Sequence, residues 1–352
     1  MKAQTGPSEI SPTDQPLPAG LVYVTDAEPG ITRRKRGKGY SYYAPEGGRV
    51  GASDLARIKA LAIPPAYASV WICPQADGHL QATGVDERGR KQYRFHSGWS
   101  EWRAQVKYES LAQFGSALGR LRRKLHSDLQ TDAGASAFAL AAVVFLIDRT
   151  ALRVGDEAYL RDNGSYGATN LLARHIRLAD GQVRLSFTGK GGKQVVKTLA
   201  DRRLHRVLDQ IGDLPGRHLF SYIDSDGSTR RIHSHEVNAY IADAIGIEGA
   251  TAKTFRTWAG TLAAFELALD APDRLTRKTV AEAAAARLAN TPAVCRTFYI
   301  HPKVMALPDL AIDDRLQLLK TLSQKGDRSL RVSERKLMDF LGSDAGEGRV
   351  LR

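Results

Sequence analysis

Apolar and polar positions alternate in short runs over residues 21–100, and beyond them recur every three or four residues along most of the chain. The first pattern is that of half-buried strands, the second that of amphipathic helices. "LVYVTD" (21–26) predicts a short strand, and "GKGYSYYAPEGGRV" (37–50) mixes aromatics with Gly and Pro as strand-and-turn segments do. "SDLARIKALAIPPAY" (53–67) holds a short helix stopped by Pro64 and Pro65. "SVWICPQADGHLQATGVDERGRKQYRFH" (69–96) predicts two strands joined around Asp77-Gly78, then a second turn at Asp86–Gly89.

From about Trp99 the period changes. Leu111, Phe114, Leu118, Leu121 and Leu125 share one helix face, with Arg120, Arg122, Arg123 and Lys124 on the others. "SAFALAAVVFLIDRT" (136–150) is nearly all apolar for two to three turns and predicts a buried central helix. A β island comes next in 173–201, with turns at Asp180-Gly181 and Gly189–Lys193, and helices resume near Ser234, expected as an N-cap. "TVAEAAAARLA" (279–289) predicts another helix, which Asn290-Thr291-Pro292 should end. "PAVCRTFYIHP" then reads as a short helical or irregular segment presenting Tyr299. The expected class is α+β: a tail over 1–19, a small β-rich domain over 20–103, and a larger, mainly helical domain with a β hairpin over 104–352.

Composition narrows the partner. Lys and Arg total 51 against 38 acidic residues, a net charge of +13, with a pI near 9.8. Such an excess favours a polyanion, of which nucleic acid is the commonest. No apolar run approaches membrane-spanning length, and the first twenty residues lack the apolar core of a secretory signal, so a cytoplasmic, nucleoid-associated protein is expected. Cys73 and Cys295 are the only cysteines, too few for a disulfide framework or a cysteine zinc site.

Familiar cofactor motifs do not fit. "TGKGGK" (188–193) lacks the spacing and the Ser/Thr of a nucleotide P-loop and lies between strands. "DSDG" (224–227) has no acidic ligand at the twelfth position of a calcium loop, and "RIHSHE" (231–236) has no partner metal motif. No metal and no cofactor are expected. Dispersed cations remain: Arg153 among apolar neighbours in "ALRVGDEAY", Lys190 at a glycine-rich hairpin tip, and Lys253 and Arg256 three apart on one helix face. Each has a plain structural reading: Arg153 paired with Asp156 or Glu157, Lys190 a solvated turn, Tyr299 a core aromatic.

In their order along the chain these segments resemble the type IB DNA topoisomerases of the small kind found in viruses and bacteria. The resemblance covers residues 20–342. It rests on "LAIPPAY", "VWICP" and "GHLQATGVDERGRKQYRFH" in the first domain. In the second it rests on "LRVGDEAY", "NGSYGATNL", "FTGKGGK", "TAKTFRTWAGTLAA" and "LANTPAVCRTFYIHP". It implies an ATP-independent enzyme that cuts one strand of duplex DNA through a 3′-phosphotyrosine, lets it rotate and reseals it. The implied catalytic set is Tyr299 as nucleophile, Arg153 and Arg256 on the phosphate oxygens, Lys190 as the candidate general acid, and Asn290 beside a non-bridging oxygen. Viral members have His at the last position; Asn donates a hydrogen bond but shuttles no proton at neutral pH.

The resemblance further implies a monomeric clamp around double-stranded DNA, with Arg90, Lys91, Gln92, Tyr93, Tyr159 and Lys253 as contacts. Phe95 stands where viral members have Tyr, and the basic run in "TRRKRGKGY" (32–40) would add phosphate contacts or be a solvated loop. Tyrosine recombinases share the Arg, Lys, Arg and Tyr chemistry, but they usually carry His where Lys253 stands and have no counterpart of the "RKQYRFH" domain.

Overall fold

The structure, a computed structural model, describes residues 17–214, 218–247 and 249–342. The expected N-terminal tail therefore lies almost wholly outside the described residues. One compact unit ends at Tyr108 and a second begins at Glu109. The fold mixes helix with sheet, and a small sheet occupies the first unit. There β1 (Ile31–Arg36), β2 (Gly39–Tyr43), β3 (Ala68–Ile72), β4 (Leu80–Val85) and β5 (Lys91–Phe95) pair antiparallel in the order β2-β1-β3-β4-β5. Helix α1 (Ala52–Ala60) adds Ile58 to a core of Ile31, Ile72 and Ala82. A second cluster joins Val24, Cys73 and Leu80.

One expectation fails in this unit. "LVYVTD" is no strand: it makes one isolated bridge, Val22 to Gly78, and Val24 N donates to His79 Nδ1. Strands β3 and β4 are joined around Asp77-Gly78 as the sequence predicts, through a connection over residues 73–79. It wraps the buried amide of Gln81, whose Nε2 donates to the carbonyls of Gln75, Ala76 and Gly78 at 2.7–3.1 Å. Gln81 Oε1 accepts from Arg57 Nη1 at 2.8 Å. A Cβ on Gly78 would sit 2.6 Å from Cys73 Sγ, so glycine is needed for this close approach.

Helix α2 spans Ser97–Asp128. Its Leu111, Phe114, Leu118, Leu121 and Leu125 are buried, as their spacing predicts. Helix α3 (Ser136–Thr150) is the central helix, with buried residues on every side. The short α4 (Glu157–Asn163) precedes an antiparallel sheet of β6 (Ile176–Ala179), β7 (Gln182–Thr188) and β8 (Gln194–Ala200), turning where the sequence predicts. Helix α5 (Arg202–Gly212) and the hairpin of β9 (Ser221–Ile223) and β10 (Thr229–Arg231) were not expected. Helices α6 (Ser234–Ile245), α7 (Ala252–Asp270), α8 (Arg277–Leu288), α9 (Pro292–Phe298), α10 (Pro302–Ala306), α11 (Ile312–Thr321) and α12 (Val332–Gly342) complete the unit. His233, not Ser234, caps α6: Glu236 Oε2 accepts the His233 main-chain N–H at 2.8 Å.

One buried ion network fixes α7, the helix on which the candidate site is built. Arg122 of α2 makes paired hydrogen bonds to Asp148 of α3 at 3.0 Å and to Glu334 of α12 at 2.8 and 2.9 Å. Glu334 is fully buried, and its Oε1 also accepts from Trp258 Nε1 of α7 at 3.4 Å. Burial alone would push the Glu334 carboxyl up; Arg122, then Arg331, outweigh it and hold the carboxyl at about 2. With its folded value depressed, Glu334 contributes its full stability above the ordinary value of 4.5 and loses it as pH falls toward 2. Glu334→Ala leaves a buried guanidinium partly unpaired, which should cost about 3–5 kcal/mol in urea unfolding at pH 7. The gap to wild type should shrink between pH 4.5 and 2, and a gap that stays constant would assign the stability elsewhere.

Candidate active site

Helix α7 carries Arg256, whose side chain is 3% exposed. Its Nη1 donates to the main-chain oxygen of Ala151, and its Nη2 to that of Leu288 at 3.2 Å. Ala151 is the C-cap of α3, in the left-handed region at φ 54°, and Leu288 is the last residue of α8. One guanidinium thus satisfies carbonyls at two helix C-termini, where unpaired acceptors and the negative dipole end favour a cation. The guanidinium carbon lies 5.2 Å from the centroid of the Tyr299 ring. Arg256 Nε is buried without a partner among the described residues. Burial first, then the charge of Arg153, pulls the Arg256 value down, against the upward pull of Tyr299 and Cys295.

The charge of Arg153 therefore reaches this centre, from an extended segment between α3 and α4. That segment is held as main chain: Ala168 N donates to Arg153 O at 2.8 Å and Thr169 N to Val154 O at 2.7 Å. Gly155 adopts φ +103°, and a Cβ on Gly167 would lie 2.5 Å from its backbone, so "LRVGDE" and "SYGATN" pack glycine on glycine. The carboxylates that might have paired with Arg153 are engaged elsewhere. Asp156 caps α4, and Glu157 pairs with Arg231 and His233.

Asn290 comes after Ala289, itself at φ 49°, and its N–H donates to Ala285 O at 3.1 Å, closing α8. Asn290 Oδ1 accepts from Thr291 N at 2.9 Å, Thr291 caps α9, and Pro292 takes the first helical position. The segment leading to Tyr299 is thus a capped helix. Tyr299 is its C-cap, with its N–H donating to Cys295 O at 2.9 Å. Helix α7 fixes the main chain from Tyr299 to His301: Thr261 Oγ1 donates to Tyr299 O at 3.4 Å and accepts from His301 N at 3.0 Å. A Cβ on Gly260 would lie 2.6 Å from Tyr299 O. Neither Gly260 nor Thr261 stands out in the sequence, where the one signal is a glycine inside an otherwise strong helix.

Arg256 and Tyr299 are therefore brought together, the charge of Arg153 acts on Arg256, and Asn290 begins the segment that ends in Tyr299. Lys190 is exposed at the hairpin tip, where Gly191 and Gly192 have φ +78° and +74°. Its Nζ lies 4.7 Å from the centroid of the Tyr159 ring on α4, and among the described residues no contact places it on Arg256 or Tyr299. Lys253, in the first turn of α7, is exposed while Arg256 is buried, so the two share a helix face but not an environment.

In the first unit the candidate contacts pair with aspartates. Arg90, just before β5, donates through Nε and Nη2 to Asp86 Oδ2 at 2.9 and 2.7 Å, and Gln92 Nε2 reaches the same oxygen at 3.0 Å. Arg90 is the main reason the Asp86 carboxyl falls to about 2. Lys91 pairs with Asp26 at 2.5 Å, and Tyr93 stacks on Phe95. The basic run at 32–40 is a β hairpin and no loop. Its Arg33 donates to the carbonyls of Ile63, Pro64 and Tyr67, and so holds the "IPPAY" turn.

Residues 96–300 match the family model described as the catalytic core of eukaryotic DNA topoisomerase I, and residues 39–86 match that of the N-terminal domain of bacterial DNA topoisomerase IB. The chain is 29% identical over 286 residues to the DNA topoisomerase 1B of Acanthamoeba polyphaga mimivirus, an alignment covering 77% of this chain and 85% of that protein.

Gly260→Ala tests whether α7 holds the Tyr299 main chain. Helix propensity alone favours Ala by about 1 kcal/mol. The obstructing atom is a backbone oxygen that cannot swing aside, and overpacking of this kind costs about 1–3 kcal/mol. The substitution should therefore lower the thermal midpoint, and a raised midpoint would show that the contact is loose.

Proposed function

Because the chain belongs to the type IB DNA topoisomerase family, we propose that Tyr299 is its nucleophile and that it relaxes supercoiled duplex DNA with neither ATP nor a required metal. The observation that supports this most is the buried Arg256 guanidinium, 5.2 Å from the Tyr299 ring, with an Nε–H that has no partner among the described residues. A buried donor of this kind is costly unless a ligand completes it, and a phosphodiester oxygen does so.

The chemistry follows from these groups. The Tyr299 oxygen attacks the scissile phosphorus, forming a 3′-phosphotyrosine as the bond to the 5′ oxygen breaks. Charge gathering on the non-bridging oxygens meets Arg153 and Arg256, which no carboxylate among the described residues pairs with. Asn290, its Oδ1 engaged by Thr291 N–H, offers Nδ2 donors to one of those oxygens. The departing 5′ oxygen takes a proton from Lys190, which must leave the Tyr159 ring to reach it. The phosphotyrosine conserves the bond energy, so the freed strand rotates and the 5′ hydroxyl reverses the reaction without ATP.

We further propose that the β-rich domain over 20–103 and the helical catalytic domain over 104–352 grip duplex DNA as a clamp, working as a monomer at the nucleoid. Arg90, Lys91, Gln92 and Tyr93 would serve the first domain's face, Tyr159 and Lys253 the second's. Among the described residues no helix is long and apolar enough to cross a membrane.

Relaxation of supercoiled plasmid in EDTA without ATP is the first test. Tyr299→Phe should bind DNA yet form no covalent adduct, and any adduct on that variant removes Tyr299 from its role. Lys190→Ala should slow cleavage roughly 10²–10⁴-fold, as for loss of a general acid. A 5′-bridging phosphorothiolate, whose leaving group needs no proton, should restore most of that rate; equal slowness on both substrates means another acid. For the clamp, Arg90→Ala with Lys91→Ala should reduce the slope of log affinity against log salt by up to about 0.9 per lost phosphate contact. An unchanged slope removes that face from the grip.

A further inference from the structure

The inner face of the β6–β7–β8 sheet holds one residue that its alternation does not predict. Val183, Leu185 and Phe187 of β7 are buried there, and they pair across with Leu199, Lys197 and Val195 of β8. Lys197 thus occupies a position where every pattern rule asks for an apolar side chain. Its Nζ donates to the main-chain oxygen of Arg287 at 2.7 Å, in the last turn of α8. Among the described residues no carboxylate pairs with it; the charged groups that act on it are Arg287 and Arg256, both cations. Arg287 in turn donates through Nη2 to Arg149 O of α3 at 2.8 Å.

We propose that Lys197 is a positioning residue for DNA cleavage: its ammonium, seated on the Arg287 carbonyl, locks the sheet that carries Lys190 to the helix end from which Asn290 and the Tyr299 segment emerge. This rests on the proposed roles of Lys190 and Tyr299. Lys190 leaves the sheet between β7 and β8, and Asn290 stands three residues beyond Arg287, so one hydrogen bond joins the two parts of the site that come from distant stretches of chain. A cation suits this seat because α8 ends there with unpaired carbonyls.

The charge has a cost that distinguishes positioning from mere support. Burial first, then Arg287 and Arg256, lowers the Lys197 amine from 10.5 to about 8. Below about pH 8 the amine is charged in the folded and unfolded states alike and the burial penalty is fully present; it is relieved as pH rises toward 10.5. Lys197→Met, similar in length and apolar, removes that penalty along with the hydrogen bond. It should leave the thermal midpoint at pH 7 unchanged or raised, an advantage that shrinks as pH rises from about 8 toward 10.5.

Cleavage should respond in the opposite direction. In single-turnover assays Lys197→Met should cleave roughly 10–100-fold more slowly, the scale of a displacement near 1 Å, with DNA affinity held. Lys197→Arg, which keeps a charged donor at all accessible pH, should recover most of the rate. The ratio of wild-type to Lys197→Arg rate should fall as pH rises through about 8, where only the lysine loses its proton. A wild-type rate in Lys197→Met overturns the proposal. So does a common fall of rate and midpoint, a Lys197→Met protein that does not fold, or a ratio flat from about pH 7 to 9.5. Tyr299→Phe in the same assay reports separately on the nucleophile, so a wrong assignment there is not mistaken for a failure of Lys197.

Discussion

A guanidinium buried against two helix ends is the constraint on which the catalytic unit is arranged. Arg256 ties the C-terminus of α3 to that of α8 through the carbonyls of Ala151 and Leu288. Arg287 and Lys197 repeat the device on Arg149 O and Arg287 O. Pairing a buried cation with carbonyls differs from pairing it with a carboxylate: the hydrogen bonds are satisfied but the charge is not cancelled. The centre keeps a positive field, at a cost in stability, and that field remains available to a phosphate. Arg122 shows the contrasting choice. Its charge is met by Asp148 and Glu334, and it holds helices together.

The second constraint is register along α7. Arg256, Gly260 and Thr261 lie at i, i+4 and i+5, so one helix presents the guanidinium, the gap into which the Tyr299 carbonyl fits, and the hydroxyl bridging Tyr299 O to His301 N. Main-chain fixation on α7 keeps the Tyr299 ring beside Arg256 of the same helix. Trp258, on the same helix, reaches the Arg122–Glu334 network, so the position of α12 bears on the position of Tyr299. A displacement of α12 would be felt at Tyr299, the proposed nucleophile, through helix α7.

Local rules governed what was legible in the sequence. The leucine row of α2, the apolar run of α3, the two turns of the β6–β7–β8 sheet and the stop at Asn290-Thr291-Pro292 each come from spacing or backbone chemistry. Helix α5 escapes the pattern although Leu204, Val207, Leu208 and Ile211 have helical spacing, because Arg, His and Asp separate them. The short β9–β10 hairpin offers too few residues to show alternation. Buried polar groups were least legible of all. Gln81, Arg33 and Lys197 look like surface residues in a linear pattern, and each is placed by main-chain carbonyls that the pattern does not carry. Arg153, Arg256 and Tyr299 are visible through family resemblance; the fit of the Tyr299 main chain against Gly260 and Thr261 depends on contacts about forty residues apart along the chain.

Competition between existing and incoming partners also decides how DNA would be engaged. Arg90 and Gln92 share Asp86, Lys91 holds Asp26, and Lys190 lies against Tyr159. Each of these donors already has a partner, so an incoming phosphate competes with it and the gain is a difference between two interactions. For an exposed pair such as Arg90 with Asp86, solvent screening leaves that existing partner weak. The exchange is therefore nearly free, and the aspartates chiefly fix the direction of the side chains before DNA arrives. For Lys190 the partner is an aromatic face, worth roughly 0.5–1 kcal/mol at an exposed site. A lysine held that weakly is poised without being trapped, and in its proposed role as general acid it would give up its proton beside the phosphate that draws it from Tyr159.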